Sequence, residues 1–393
     1  MSLNKVVRSH GKRKVGLVLG YLGTRFGGSQ PVRDVGPTRL MSTEEVLADA
    51  LTSTGYLPAE HAVNLAKASW TRASRTDRGT HSLALGIGVK LSFPRPVLDD
   101  MGTALDTLTT DVNGALPSDV RLLSAVRVPK SFAARRRCAE RWYEYWYPVP
   151  EGAAGEMALD AAELEAVAAD CLVGSHTFHN FTRLRASAIP ARLRNRAAEM
   201  ARYADLAYDQ PDAYEAHVAN YPADLMQAAF NRVVVAVEVE SVEREGQAWL
   251  RFHFRGSAFL YEQVRRMVAS LIGVAHGWVA PDALRLSLGE SPASVRWPAA
   301  PADYLILDNA LYHSMPEAPD VHALVPLAGE AGVRAGRAFR DTQVLPALAR
   351  VAATTEAADN LAEMQRRLRQ LDLAGGTTRL HALGAAVGVG GGV

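Results

Sequence analysis

The loop Ser74-Arg75-Thr76-Asp77-Arg78-Gly79-Thr80-His81 sets one carboxylate between two guanidinium groups. Neighbouring cations keep a carboxylate ionised, and the ionised form is the one that acts as a nucleophile. Asp, Gly, Ser and Thr also make ordinary turns, so a catalytic reading of Asp77 needs partners elsewhere. One is Arg265, in a stretch from Ala258 to Gly277 whose apolar stripe includes Leu260, Tyr261, Val264, Met267, Val268, Leu271, Ile272 and Ala275. Helical spacing puts Arg265 at the edge of that stripe, facing packed interior, where a charge requires an anion. Asp77 is one such anion, and a structural salt bridge to another acid is the alternative. Arg266 follows Glu262 by four residues, the order that suits a surface ion pair.

A further group is Phe132-Ala133-Ala134-Arg135, then Cys138 and Arg141, then Trp142-Tyr143-Glu144-Tyr145-Trp146-Tyr147. In a strand, Tyr143, Tyr145 and Tyr147 share one face, with Trp142 and Trp146 on the other. Aromatics on both faces point to burial on both, while aromatics beside an arginine run also suit base stacking. Basic residues gather at Lys5 to Arg33 without an acid, at Arg135, Arg136, Arg137 and Arg141, and at Arg183 to Arg202, which includes Arg192, Arg194 and Arg196. Each cluster alone reads as a solvated face. Together, in a chain of net charge +1, they favour a groove that faces phosphates.

Elements must carry these groups. A chain of 393 residues exceeds one ordinary core, and 48% hydrophobic with 22% charged residues is a globular composition. No apolar run reaches the length of a membrane helix, and no membrane partner is expected. The two cysteines, Cys138 and Cys171, exclude a disulfide framework and point to a reducing, intracellular compartment. The acid-free N-terminus leans toward a mitochondrial address, although strand-like sequence from Val15 leaves it short for a transit peptide, and nuclear and cytosolic addresses stay open.

Lys14 to Gly20 reads as a strand, followed by a Gly-rich turn at Gly23 to Gly28. Ser42 and Glu45 are spaced as a capping box for a helix over 42–51. Leu83, Leu85, Ile87, Val89 and Leu91 alternate with Ala84, Gly86 and Gly88, a half-buried strand with one face open to close approach. A helix runs to Asn113 and stops at Leu116-Pro117. Further helices are expected over 157–171, 192–208, 258–277 and 355–373, with an aromatic strand at 141–147 and a hairpin turning at Glu245-Gly246. The mixture indicates an α+β fold with antiparallel sheet. Cys171, His176 and His179 lack a fourth ligand, so no metal site is expected, and Gly23 to Gly28 is no phosphate loop because no Gly-Lys-Ser/Thr follows.

Taken in order, these segments resemble the TruA-type family of tRNA pseudouridine synthases. The family's nucleophile motif stands as Arg75-Thr76-Asp77-Arg78-Gly79-Thr80-His81. Its opening stands as Tyr21-x-Gly23-Thr24-x-Phe26-x-Gly28-x-Gln30, and its middle as Asn113-x-x-Leu116-Pro117 with Phe132-x-Ala134-Arg135-x-x-Cys138-x-x-Arg141-x-Tyr143-x-Tyr145. Gly174-x-His176-x-Phe178-His179-Asn180-Phe181-Thr182 looks like the eukaryotic branch, and Gly256-Ser257-Ala258-Phe259-Leu260 with Gln263-Val264-Arg265-x-Met267 matches the closing motif. The resemblance spans about residues 14–312.

It implies a cofactor-free and metal-free isomerase that turns uridine into pseudouridine in tRNA or another structured RNA. Asp77 takes the nucleophile's place, Tyr143 that of the tyrosine under the target base, Arg265 that of the arginine paired with the nucleophile, and Arg75 that of an arginine that helps displace the nucleotide. Arg135, Arg141, Tyr145, Arg192, Arg194 and Arg196 are the expected RNA contacts. The implied fold is two ferredoxin-like (RRM-like) halves sharing a mixed, mainly antiparallel sheet with helices packed on it and a basic cleft. The expected division is 13–128, 129–315 and an extension 316–393 with one amphipathic helix and a flexible Gly/Ala tail. Thr80, Ser82, Glu262 and Tyr304 depart from the family's usual residues, which puts activity and substrate range in question. The rival reading is a non-catalytic RNA-binding or assembly component of a ribonucleoprotein; a glycosidase-like hydrolase would need a second acid that the sequence does not identify.

Overall fold

The computed structural model describes residues 10–31, 39–150, 160–183, 230–288, 295, 297–313 and 324–373. The helix expected over 192–208, with Arg192, Arg194 and Arg196, lies outside the described residues, as does the Gly/Ala tail. In chain order the strands are β1 (His10–Tyr21), β2 (Thr71–Arg72), β3 (His81–Pro94), β4 (Val120–Arg127), β5 (Cys138–Pro148), β6 (Gly174–Thr177), β7 (Asn231–Arg244), β8 (Gln247–Gly256), β9 (Leu305–His313) and β10 (Leu324–Pro326). Helices longer than one turn are α1 (Thr43–Ser53), α2 (Met101–Ala115), α3 (Ala161–Leu172), α4 (Gln263–Ala275), α5 (Pro281–Leu286), α6 (Gly329–Phe339), α7 (Leu345–Ala352) and α8 (Thr355–Leu373). The fold is mixed α+β with mostly antiparallel strands.

Two compact units result, residues 1–144 with 302–351 and residues 145–301 with 352–393. The cut differs from the contiguous division at 128 and 315. In the first unit β1 lies between β3 and β4, antiparallel to both, with Leu17 opposite Ile87 and Ala125. The late strand β9 returns to this unit and pairs in parallel with the start of β3, Ile306 against His81 and Leu307 against Ser82. β10 pairs with β9, and Leu327 just beyond it enters a core cluster with Val18, Ala84, Val128, Phe132 and Tyr312. That packing explains why residues after 302 belong with the beginning of the chain: they bury the glycine face of β3.

β3 is therefore buried on both faces from His81 to Val89, rather than on one. A Cβ on Gly86 would lie 1.8 Å from the Tyr312 hydroxyl oxygen, and one on Gly88 would lie 2.9 Å from the Phe132 ring. Helix α1 starts at the expected capping box, with both Ser42–Glu45 bonds formed. Helix α6 lies close on the same unit, where a Cβ on Gly332 would sit 3.0 Å from Ser124 Cβ. A single π-helical turn, Arg340–Val344, joins α6 to α7, and Arg340 reaches the buried Glu144 carboxylate at 3.0 Å.

In the second unit β6, β7 and β8 form an antiparallel sheet, with Gly174 opposite Val234 and Val239 opposite Phe252. Glu245 and Gly246 both take positive φ and make the expected hairpin turn. Helix α4 starts at Gln263, later than the expected Ala258, because Glu262 sits at φ 61° and cannot continue a right-handed helix. Helix α8 lies on α4, where Leu368 Cδ2 is 3.3 Å from a Cβ position on Gly273, and Leu361, Met364 and Leu368 are buried. Arg369 stacks its guanidinium over Trp278 at 4.5 Å. The region after residue 316 thus holds α6, α7, α8 and β10 among its described residues, more than the one helix expected. No helix among the described residues is long and apolar enough to cross a membrane.

Candidate active site

The loop before β3 is held from below by the opening turn of the chain. Ser29 and Thr76 exchange hydrogen bonds: Thr76 N–H donates to Ser29 Oγ at 3.0 Å, and Ser29 N–H to Thr76 O at 3.2 Å. The Thr76 hydroxyl meets the buried Tyr21 hydroxyl at 2.7 Å. Gly23 and Gly28 exist for this contact, since added Cβ atoms would lie 2.1 Å from Thr80 O and 2.8 Å from Thr76 O. The Gly-rich turn is a wall for the Asp77 loop.

From above, His81 joins the loop to two distant segments. Gly23 N–H donates to His81 Nδ1 at 3.0 Å, so the ring carries its proton on Nε2, which donates to Asp303 O at 2.8 Å. Burial holds the His81 pKa below the ordinary histidine value and keeps the ring neutral. Gly79 turns at φ 86°, and Thr80 N–H donates back to Asp77 O at 3.1 Å. Asp77 itself is half-buried, with Arg75 and Arg78 exposed on either side.

Strand β5 closes the same site. The Tyr143 hydroxyl lies 2.8 Å from Ser74 Oγ, one residue before the motif. Tyr143 is 6% exposed, and its pKa is pushed up to about 12, chiefly by burial and further by the Asp77 carboxylate, against the pull of Ser74 and Arg141. The first unit thus brings Asp77 and Tyr143 within electrostatic range of each other. Arg75 has its pKa lowered by partial burial and then by the like charges of Arg72 and Arg135. Arg72 and Arg135 both lie close enough to act on the Arg75 charge, which makes this an anion-attracting patch. Glu44, fully buried, stabilises it from beneath by accepting from Trp70 Nε1 at 2.9 Å and from Arg72 Nη2 at 2.6 Å.

Two expected RNA contacts lie elsewhere. Arg141 is buried and donates to the carbonyls of Cys138 (2.9 Å), Ala73 (2.9 Å) and Arg135 (3.3 Å), a clamp on both motifs rather than a groove cation. Tyr145 has no exposed surface, so its ring belongs to the core. Burial on both faces of β5 is what its paired aromatics dictate. Arg265, in the second unit, is half-buried on the first turn of α4, with Nε donating to Ala300 O at 2.5 Å. Thr80, Ser82 and Tyr304 are buried beside the loop. The Glu262–Arg266 pair is not the surface pair expected, because the two side chains are only 13% and 14% exposed. Among the described residues, no three His, Cys, Asp or Glu side chains gather as metal ligands.

The contacts made by Ser74, Ser29, Tyr21, Glu44 and the carbonyl of Asp303 escape a reading of motifs alone. Only the Gly23 and Gly28 spacing signals that something packs closely there.

A carboxylate loop flanked by arginines, with a tyrosine close to it, is an arrangement suited to a polyanionic substrate. A profile described as tRNA pseudouridine synthase matches residues 217–313. The chain is 26% identical over 307 residues to the mouse pseudouridylate synthase 1 homolog, covering 76% of this chain and 60% of that protein. It is 25% identical over 329 residues to the human tRNA pseudouridine(38/39) synthase, covering 78% of this chain and 57% of that one. It thus spans about three fifths of the length of these relatives. The matched profile and these relatives make the chain similar to tRNA pseudouridine synthases.

Proposed function

We propose that this chain is a pseudouridine synthase that isomerises uridines in tRNA, with Asp77 as nucleophile. The relatives' names give the substrate class, and the observation that carries the reading is the Asp77 loop, fastened on three sides and lying against Tyr143. In this reading the phosphates of a displaced nucleotide lie on Arg75 and Arg135, and the uracil enters against Tyr143. The Asp77 carboxylate bonds to C1′ as the N1–C1′ bond breaks and the uracil leaves as an anion. The base turns over and its C5 attacks C1′, expelling the Asp77 carboxylate as the C5–C1′ bond forms; C5 then loses its proton to solvent and N1 gains one. Atoms and electrons balance, so the isomerisation calls for no redox partner. By the resemblance, Arg265 takes the place of the arginine that keeps the nucleophile ionised. The two units are then two ferredoxin-like halves.

The test is release of tritium from tRNA transcripts bearing [5-³H]uridine, because C5–H must break. Asp77→Asn should abolish release and leave RNA affinity near wild type. Turnover by a purified Asn variant would remove Asp77 from the nucleophile's role.

A further inference from the structure

Glu262 is one of only three non-glycine residues with positive φ among the described residues, at φ 61°. A left-handed glutamate is disfavoured by roughly 1 kcal/mol or more, so the surroundings must hold it there. They do so through charge: Glu262 Oε2 accepts from Arg266 Nε at 3.2 Å and from Nη2 at 2.5 Å. Arg266 Nη1 in turn donates to Trp297 O. The next residue along, Arg265, grips the same segment twice, by Nε to Ala300 O at 2.5 Å and by its own carbonyl, which accepts Ala300 N–H at 3.1 Å.

The strained residue, the ion pair and the 297–300 segment meet on the first turn of α4, the turn that carries Arg265. Ser270, Ile272 and the rest of that helix are buried and fix its axis, but they do not fix how its first turn is wound. Arg265 commits Nε to Ala300, so an anion must be met by its terminal nitrogens, whose direction follows the position of Ala300. We infer that Glu262 and Arg266 are positioning residues, a latch that ties the start of α4 to residues 297–300 and so aims the Arg265 guanidinium. The pair lies largely out of solvent, where breaking one partner is felt more than at a surface.

This inference rests on the proposed role of Arg265, and its test separates the two. Glu262→Asn suits a left-handed position but is too short to reach Arg266, so it keeps the turn and opens the latch. Glu262→Gln keeps an acceptor for Arg266. With the full chain and [5-³H]uridine transcripts, at a temperature where melting curves show each variant folded, kcat should fall in the order Glu, Gln, Asn. The Asn variant should lose about tenfold to a hundredfold with KM little changed, because displaced catalytic groups affect rate more than binding. In an Arg265→Lys background, Glu262→Asn should add little further loss. Wild-type kcat for folded Glu262→Asn, or a loss undiminished by Arg265→Lys, overturns the latch. Full activity in Arg265→Lys alone overturns the reading of Arg265 itself.

Discussion

The Tyr143 hydroxyl meets that of Ser74, so its ring and its OH can be assigned separate duties. Tyr143→Phe retains the ring and should keep RNA affinity while lowering kcat if the hydroxyl takes part in proton transfer at C5. Tyr143→Ala should lose roughly 1–3 kcal/mol of binding if the ring stacks on the base. Titration of RNA against the two variants, beside single-turnover rates, distinguishes these roles, and an Ala variant with normal binding and turnover would place Tyr143 outside the site. His81 gives a second prediction at this scale. Its folded pKa lies below the ordinary value of 6.5, so the neutral ring's contribution is in place above about pH 6.5. As pH falls below that, unfolded chains take up a proton that folded chains refuse, and stability declines. Melting temperature should drop between pH 7.5 and 5.5, with a shallower drop in His81→Gln. The carboxylate, the tyrosine and both arginines were legible as residue types in sequence order. The hydroxyls that hold the loop and the tyrosine were not, because Ser29 meets Thr76, and Ser74 meets Tyr143, only through backbone returns that no local pattern encodes.

Helices and strands show the same division. The capping box at Ser42 and the alternation of β3 are local, and each appears where it was read. The second buried face of β3 is not local. Its small residues signalled a close approach, but the partner, Tyr312, lies far along the chain, and so the strand read as half-exposed. Gly86→Ala puts this to measurement. The new methyl collides with the Tyr312 hydroxyl, and overpacking of this kind costs about 1–3 kcal/mol. Combining it with Tyr312→Phe should recover part of the loss in denaturant melts. Equal loss in both backgrounds would mean that something other than the hydroxyl sets the limit. The late start of α4 was likewise hidden, since Glu262 joins an apolar periodicity that continues through it and only its backbone angle ends the helix.

Across the whole chain, net charge says little, and RNA affinity should follow the local patch instead. Changing Arg75 and Arg135 together to Gln should weaken binding to all transcripts alike. The slope of log affinity against log salt should fall by roughly one unit for each phosphate contact removed. An unchanged slope would place the polyanion on another face.

The partition of the chain has a consequence for how the protein is made. Residues 302–351 complete the unit that begins at the N-terminus, supplying the carbonyl that fixes His81, the strand beside β3 and Leu327 under its glycines. A ribosome delivers the Asp77 loop early, yet that loop meets its last supports only after residues 145–301 of the second unit have emerged. Fragments from interrupted translation would therefore carry the Asp77 loop without those supports. Under the proposed function, competence would arrive late, so partly made chains would be inert rather than careless.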